Sequence, residues 1–226
     1  MALGEDSRSD QSGVDWQDGV PVSRRFDDPY YSLNDGWAET THVFLGGNDL
    51  PDRFKPGFQI AELGFGTGLN VLVALDAWRA AGLGGPLRFT SFEAFPLDPA
   101  TTFGALEAIP RTDSLRSAFI AYLDGDRAAL PDLDLTIIKG DARRTLPLWQ
   151  GKADAWFLDG FSPAKNPELW GPELMRDVAR ATSLGGTAAT YTAAGFVRRG
   201  LAEAGFEVTR ASGYGRKRHM TRAVLT

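Results

Sequence analysis

At 226 residues, 43% of them hydrophobic and 23% charged, the chain has the size and balance of one soluble globular domain that can bury a substantial core. No apolar run approaches the ~18 residues of a membrane span, and no basic stretch precedes an apolar core at the N-terminus, so neither a transmembrane helix nor a secretory signal is expected. The absence of Cys excludes disulfides and thiolate metal sites and suits a reducing cytoplasm; with only His42 and His219, far apart in sequence, no metal centre is expected.

Residues 1–13 are small, polar and mostly acidic, lack apolar periodicity, and are expected to form a disordered tail. Val14-Asp15-Trp16 and Val20-Pro21-Val22 flank Gln17-Asp18-Gly19, where Asp-Gly signals a hairpin. Arg25 to Tyr31 reads as an aromatic and acidic loop, and Glu39 to Leu45 as the start of a helix ending at Gly46-Gly47.

From there strand and helix alternate. Phe58 to Leu63 is a β-rich run broken by Gly64-Phe65-Gly66-Thr67-Gly68, and Leu69 to Ala81 has helical spacing, with Leu69, Leu72, Val73, Leu75 and Trp78 on one face. Leu87 to Phe92 is a second strand ending at Glu93. Ala100 to Ile109 and Ser114 to Leu123 read as helices, and Leu133 to Ile138 as a third strand ending at Gly140-Asp141. Ala153 to Leu158 is the fourth, Pro172 to Ala181 a helix with Pro in its first turn, and Thr187 to Tyr191 the fifth strand. Phe196 to Ala204 is helical. Phe206 to Ala211 and Thr221 to Leu225 leave no room for a helix between them and so form an antiparallel pair. There are no internal repeats. The alternation predicts an α/β fold: a single Rossmann-like, doubly wound, seven-stranded and mostly parallel sheet with an N-terminal hairpin appendage.

The formal net charge of −5 hides an asymmetry. From Phe196 to Thr226, seven basic residues (Arg198, Arg199, Arg210, Arg216, Lys217, Arg218 and Arg222) face only Glu203 and Glu207. An acidic body with a basic end points to a polyanionic partner; a solvated basic surface is the plain alternative.

The loops carry the chemistry. Asp154 to Pro167 is an apolar strand that delivers Asp159 into a loop too rich in Gly and Pro to continue any regular element. The spacing Gly64-x-Gly66-x-Gly68 is not the Gly-x-Gly-x-x-Gly of nicotinamide and flavin enzymes, nor does it end as a phosphate-binding P-loop does. Glu62, two positions before the first glycine, disfavours a pyrophosphate and favours a ligand with an ammonium or sulfonium group. S-adenosylmethionine has both. Glu93 follows the last glycine by about 25 residues, where a ribose-binding acid is expected, and Asp141 is placed to accept from an adenine amino group. Each acid alone reads better as a helix cap or turn former, but four at successive strand ends converge on one edge of the sheet.

Several motifs resemble the methyltransferase family that acts on the wobble uridine of tRNA, comprising the N-terminal half of bifunctional MnmC and its stand-alone counterpart MnmD. They are Gly19-Val20-Pro21-Val22-Ser23, Phe26-Asp27-Asp28-Pro29-Tyr30, Val43-Phe44-Leu45-Gly46-Gly47-Asn48, Glu62 to Asn70, Asp154 to Pro167, Thr192 to Leu201 and Gly213-Tyr214-Gly215-Arg216-Lys217-Arg218. The likeness runs from about Val14 to the C-terminus and implies a methyltransferase domain over 14–226. It implies methylation of the amine of 5-aminomethyl-2-thiouridine to give 5-methylaminomethyl-2-thiouridine, with S-adenosylmethionine as donor. The oxidase half of the bifunctional enzymes is absent from this sequence, so no FAD is expected, and the aminomethyl substrate would come from separate enzymes.

The resemblance further implies donor contacts by Glu62, Gly64, Phe65, Gly66, Thr67, Gly68, Asn70, Glu93, Asp141, Ala142 and Asp159, with Asp159 catalytic. Asp159 would orient the amine and, secondarily, take its proton. Phe161 would stack on the base, with an ordinary core aromatic as the alternative. Lys165, Arg198, Arg199, Arg216, Lys217 and Arg218 would contact the anticodon stem-loop phosphates. Tyr30 and Tyr31 would close over the donor or substrate, or pack the N-terminal hairpin. Two other classes remain open: a methyltransferase of small-molecule or protein amines, and a non-catalytic RNA-binding module on the same scaffold.

Overall fold

Asp18 and Gly19 both take positive φ, and there the chain turns back on itself to start a small ribbon. In the computed structural model, which describes residues 13–109, 112 and 127–226, β1 (Val14–Gln17) and β2 (Val20–Ser23) pair antiparallel across that turn. A third short strand, β3 (Asp28–Pro29), extends the ribbon beside β2. It adds to the sequence expectation, because two residues, one of them Pro, leave no period-2 signal. Then α1 (Gly36–Thr40), capped by Asp35 through a bond from the Ala38 amide at 2.9 Å, runs into a π-turn at Thr41–Leu45, where the sequence predicts a plain helix.

The main sheet contains β4 (Gln59–Leu63), β5 (Leu87–Glu93), β6 (Arg127–Leu130), β7 (Leu133–Lys139), β8 (Ala153–Leu158), β9 (Thr182–Thr190), β10 (Phe206–Ser212) and β11 (His219–Leu225). Its order is β10-β11-β9-β8-β4-β5-β7-β6. Strands β7, β5, β4, β8 and β9 are mutually parallel, and β10 and β11 form the expected antiparallel pair. All seven expected strands are present, and β6 adds a short antiparallel strand at one edge. β9 begins at Thr182 rather than Thr187. It runs through Gly185-Gly186 and absorbs the extra residues in an irregularity opposite Ala153 and Ala155. The helices α2 (Leu69–Ala80), α3 (Pro99–Glu107), α4 (Ala142–Thr145), α5 (Pro172–Arg180) and α6 (Gly195–Glu203) link the strands. The expected helix at Ser114–Leu123 and the expected tail, apart from Gly13, lie outside the described residues.

Strand β8 shows why the central sequence is apolar without alternation. Ala155 and Phe157 enter one core layer, with α2 and Phe44, while Trp156 and Leu158 enter the other, with α5 and α6. Burying one such aromatic contributes about 1.5–3 kcal/mol. Below the sheet, the Arg53 guanidinium donates to the carbonyls of Asn48, Asp154 and Gly185 and to Thr187 Oγ1. That network anchors the segment that follows Glu39 and Thr40.

Adjacent in the sheet, β4 and β8 leave in opposite senses: the chain goes from β4 to β5 on one side, and from β8 to β9 on the other. Their carboxyl ends therefore open a crevice at the switch point, where such sheets receive ligands.

Candidate functional site

The crevice is a cavity of about 890 Å³, room for a nucleotide-sized ligand and a second group beside it. Gly64 lines it. Its φ is +88°, its amide donates to the Phe92 carbonyl at 2.9 Å, and a Cβ there would collide with the carbonyl oxygen of Asp159. Only glycine permits both the conformation and the approach. Gly68, at φ +77°, begins α2 without any side-chain cap, which leaves the first-turn amides to another acceptor. Phe65, Gly66 and Thr67 line the cavity, and the Tyr30 ring lies 3.2 Å from where a Cβ on Gly66 would stand.

The acidic residues divide into distinct roles. Asn70 Nδ2 donates to Glu62 Oε1 at 2.8 Å and to Asp159 Oδ2 at 2.7 Å, one hydrogen for each, while Thr40 Oγ1 donates to Asn70 Oδ1 at 2.9 Å. Ser91 Oγ donates to Glu62 Oε2 at 2.6 Å. Glu62 has no exposed surface and lies beneath the cavity wall. Asn70, which lines the cavity, stands between Glu62 and that space. Burial pushes its carboxyl well above the usual range, against the lowering effect of the Ser91 and Asn70 bonds. Asp159 lines the cavity, and its surroundings push its pKa up to about 7. Desolvation is the main cause, Glu39 adds to it, and Asn70 and Lys217 oppose it.

Glu93 accepts from the Gly66 amide at 3.0 Å and the Phe95 amide at 2.6 Å, so it holds the glycine loop in place as well as lining the cavity. Asp141 caps α4 through the Arg143 amide at 2.9 Å and holds the Arg143 guanidinium on both carboxylate oxygens. Those bonds keep its pKa below the usual carboxylate range, and Asp141 lines the cavity. Ala142, buried beside it, also lines the cavity.

The N-terminal ribbon covers one side. Asp28 Oδ2 accepts from the Ser162 amide at 2.7 Å, and Lys165 binds the Asp27 carbonyl and its carboxylate, the latter at 3.0 Å. Phe26 stacks on Phe161 at 4.6 Å between centroids, and Tyr30 meets the Phe161 edge at 5.1 Å. Lys165 and one face of Phe161, assigned from sequence to RNA, thus serve the ribbon. Tyr31 donates to the Ala105 carbonyl at 2.7 Å, and burial raises the pKa values of Tyr30 and Tyr31 to about 12, so both stay protonated.

The basic end separates in the same way. Arg216 and Lys217 line the cavity; Arg198, Arg199 and Arg218 do not. Arg199, Arg216 and Arg218 are exposed, and Arg198 donates to the Ala193 carbonyl at 3.3 Å. Lys217 pairs with Glu39 at 3.0 Å and lies 4.1 Å from the centroid of Tyr191, whose hydroxyl donates to the Gly160 carbonyl at 2.6 Å. Sequence reasoning does not single out Glu39, Thr40, Asp28 or Tyr191 as site residues. Only Asp28 falls within a motif that carries a signal.

A family model described as S-adenosyl-L-methionine-dependent methyltransferase matches residues 112–226. The chain belongs to that family. It is 47% identical over 220 residues to the tRNA 5-methylaminomethyl-2-thiouridine biosynthesis bifunctional protein MnmC of Ralstonia nicotianae, covering 92% of this chain and 33% of that protein. The protein of the same name from Pseudomonas aeruginosa is 45% identical over 221 residues, covering 92% and 34%. The chain thus spans about a third of the length of these relatives. Among solved structures, MNMC2 from Aquifex aeolicus superposes with a TM-score of 0.79 at 27% identity, covering 96% of this chain and 72% of that one. Among the described residues of this methyltransferase, no helix is long and apolar enough to cross a membrane, and no group of three or more His, Asp or Glu residues is placed to hold a metal ion.

Proposed function

We propose that this methyltransferase acts on the aminomethyl nitrogen of 5-aminomethyl-2-thiouridine in tRNA and yields 5-methylaminomethyl-2-thiouridine. The observation that carries the reading is Asp159: a cavity-lining carboxylate with pKa near 7, tethered by Asn70 at the switch point. The names of the MnmC relatives supply the substrate class.

The residues present fit the donor. A glycine cradle that a Cβ would fill, an uncapped α2 N-terminus for a carboxylate, and Glu93 beside the glycine loop suit the three parts of S-adenosylmethionine. Gly64 to Thr67, Glu93 and Ala142 would hold it, with Tyr30 as a covering ring; Glu62 and Gly68 act from behind, the first through Asn70. When bound, the donor supplies an electrophilic methyl group on a sulfonium.

The rest is positioning by the chain's own groups. Asp159 accepts a hydrogen bond from the amine and aims its lone pair. With a pKa near 7, the carboxylate also receives the proton the amine loses, then returns it to water. The ribbon and the loop after Asp159 exclude water from that exchange. Arg198, Arg199, Arg216 and Arg218 contact phosphates of the anticodon stem-loop, and Phe161 with its neighbours forms an aromatic wall for the base. The domain responsible spans 14–226, works in the cytoplasm, and depends on other enzymes for its aminomethyl substrate.

Mass spectrometry of tRNA nucleosides before and after incubation with the donor tests the reading. Conversion of the aminomethyl to the methylaminomethyl nucleoside is expected. Methylation of a small-molecule or protein amine with tRNA untouched would overturn it.

A further inference from the structure

The Lys217 ammonium is gathered by groups from distant parts of the chain. Glu39, at the end of α1, holds it at 3.0 Å, and the face of Tyr191, just after β9, lies 4.1 Å away. Tyr191 is in turn anchored to the Gly160 carbonyl, next to Asp159. Lys217 and Glu39 both line the cavity, although the sequence assigns the lysine to RNA phosphate.

An amine facing two carboxylates is held as ammonium, which has no lone pair for attack. Asp159 and Glu39 would together do this to an acceptor amine. Resting on the reading above, we propose that Lys217 is a positioning residue for the reaction: by masking Glu39, it leaves Asp159 as the carboxylate open to the acceptor amine and favours the amine's neutral form. The proton shed by the amine goes to Asp159. Other charged and titratable groups around this point are otherwise engaged or more distant. Glu62 lies below Asn70, Glu93 holds the glycine loop, Asp28 binds the Ser162 amide, Lys165 is paired with Asp27, and Arg216 is exposed at the rim. Tyr191 stays protonated, its pKa raised by burial and by Asp159, Asp28 and Glu39.

The test compares Lys217→Met, Glu39→Gln and the double variant. In Lys217→Met, the acid limb of the kcat/KM profile is expected to move up by about 0.5–1 pH unit, a loss of about 3–10-fold at pH 7 that recovers at high pH. The shift is modest because the Lys217 side chain is 46% exposed. The double variant is expected to restore the wild-type limb. Carbon-13 NMR of the Asp159 carboxyl, assigned with Asp159→Asn, is expected to show its titration midpoint rise in Lys217→Met without tRNA or donor. A pH-independent loss with a smaller salt slope for tRNA would make Lys217 a phosphate contact and overturn the proposal; so would an unmoved NMR midpoint. If tRNA is not the substrate, the kinetic signal vanishes while the NMR titration still decides the electrostatic claim.

Discussion

Asn70 and Asp159 are joined at 2.7 Å by the amide nitrogen that also donates to buried Glu62, so the cavity carboxylate is tied to one the solvent never reaches. Asn70→Ala removes both bonds, leaves Glu62 with its bond from Ser91 alone, and takes away the acceptor of the Thr40 hydroxyl. The expected cost is about 1–3 kcal/mol of stability, read by thermal unfolding, with kcat about 10–100-fold lower. Unchanged stability would mean that the Ser91 bond alone suffices for Glu62.

Asp159→Asn is expected to abolish methylation while calorimetry still detects donor binding, because the glycine loop and Glu93 remain. Its effect on stability depends on pH. The folded protein raises the Asp159 pKa above its unfolded value of 3.8 to about 7, so the favourable contribution is present at low pH and lost as pH rises through about 7. Wild type and variant therefore converge near pH 4, and the variant gains on the order of 1 kcal/mol at pH 8, a figure kept low because Asp159 is partly exposed on the cavity wall. A variant less stable at pH 8 than at pH 4, relative to wild type, would contradict this sign.

Gly64→Ala places a Cβ against the Asp159 carbonyl at a φ of +88°. The expected loss is about 2–3 kcal/mol or more, together with donor binding, measured by unfolding and calorimetry.

Asp28→Ala cuts the ribbon's bond to the Ser162 amide. A charge-assisted bond of this kind contributes about 1.5–3 kcal/mol. Donor dissociation is expected to quicken about tenfold in stopped-flow fluorescence. An unaltered rate would show that the ribbon does not cover the donor.

Arg216→Glu with Arg218→Glu is expected to weaken tRNA binding and flatten its dependence on salt, since each lost phosphate contact removes about 0.7–0.9 from the logarithmic slope. An unchanged slope would place the RNA elsewhere.

The sheet is legible in the sequence because β4, β5, β7 and β8 are rich in apolar residues and end at glycine or an acid, and α2 is a largely apolar, buried helix. What the sequence does not supply is contact across distance. Lys217 and Glu39, 178 residues apart, carry no mutual signal, so the lysine reads as one more member of a basic run. Lys165 reads as free for the same reason, although Asp27 holds it. Asp28–Pro29 is too short to announce a strand, and Glu62 resembles a ligand contact because burial depth is not written in its neighbours.

The tight approach of Gly64 to Asp159 has a consequence for how such an enzyme changes over time. Donor cradle and carboxylate are locked against each other through backbone, so neither can shift without the other. The ribbon at 14–31 and the loop at 213–218 reach that centre through side chains. Those two outer pieces can therefore vary while the backbone contact between Gly64 and Asp159 stays fixed.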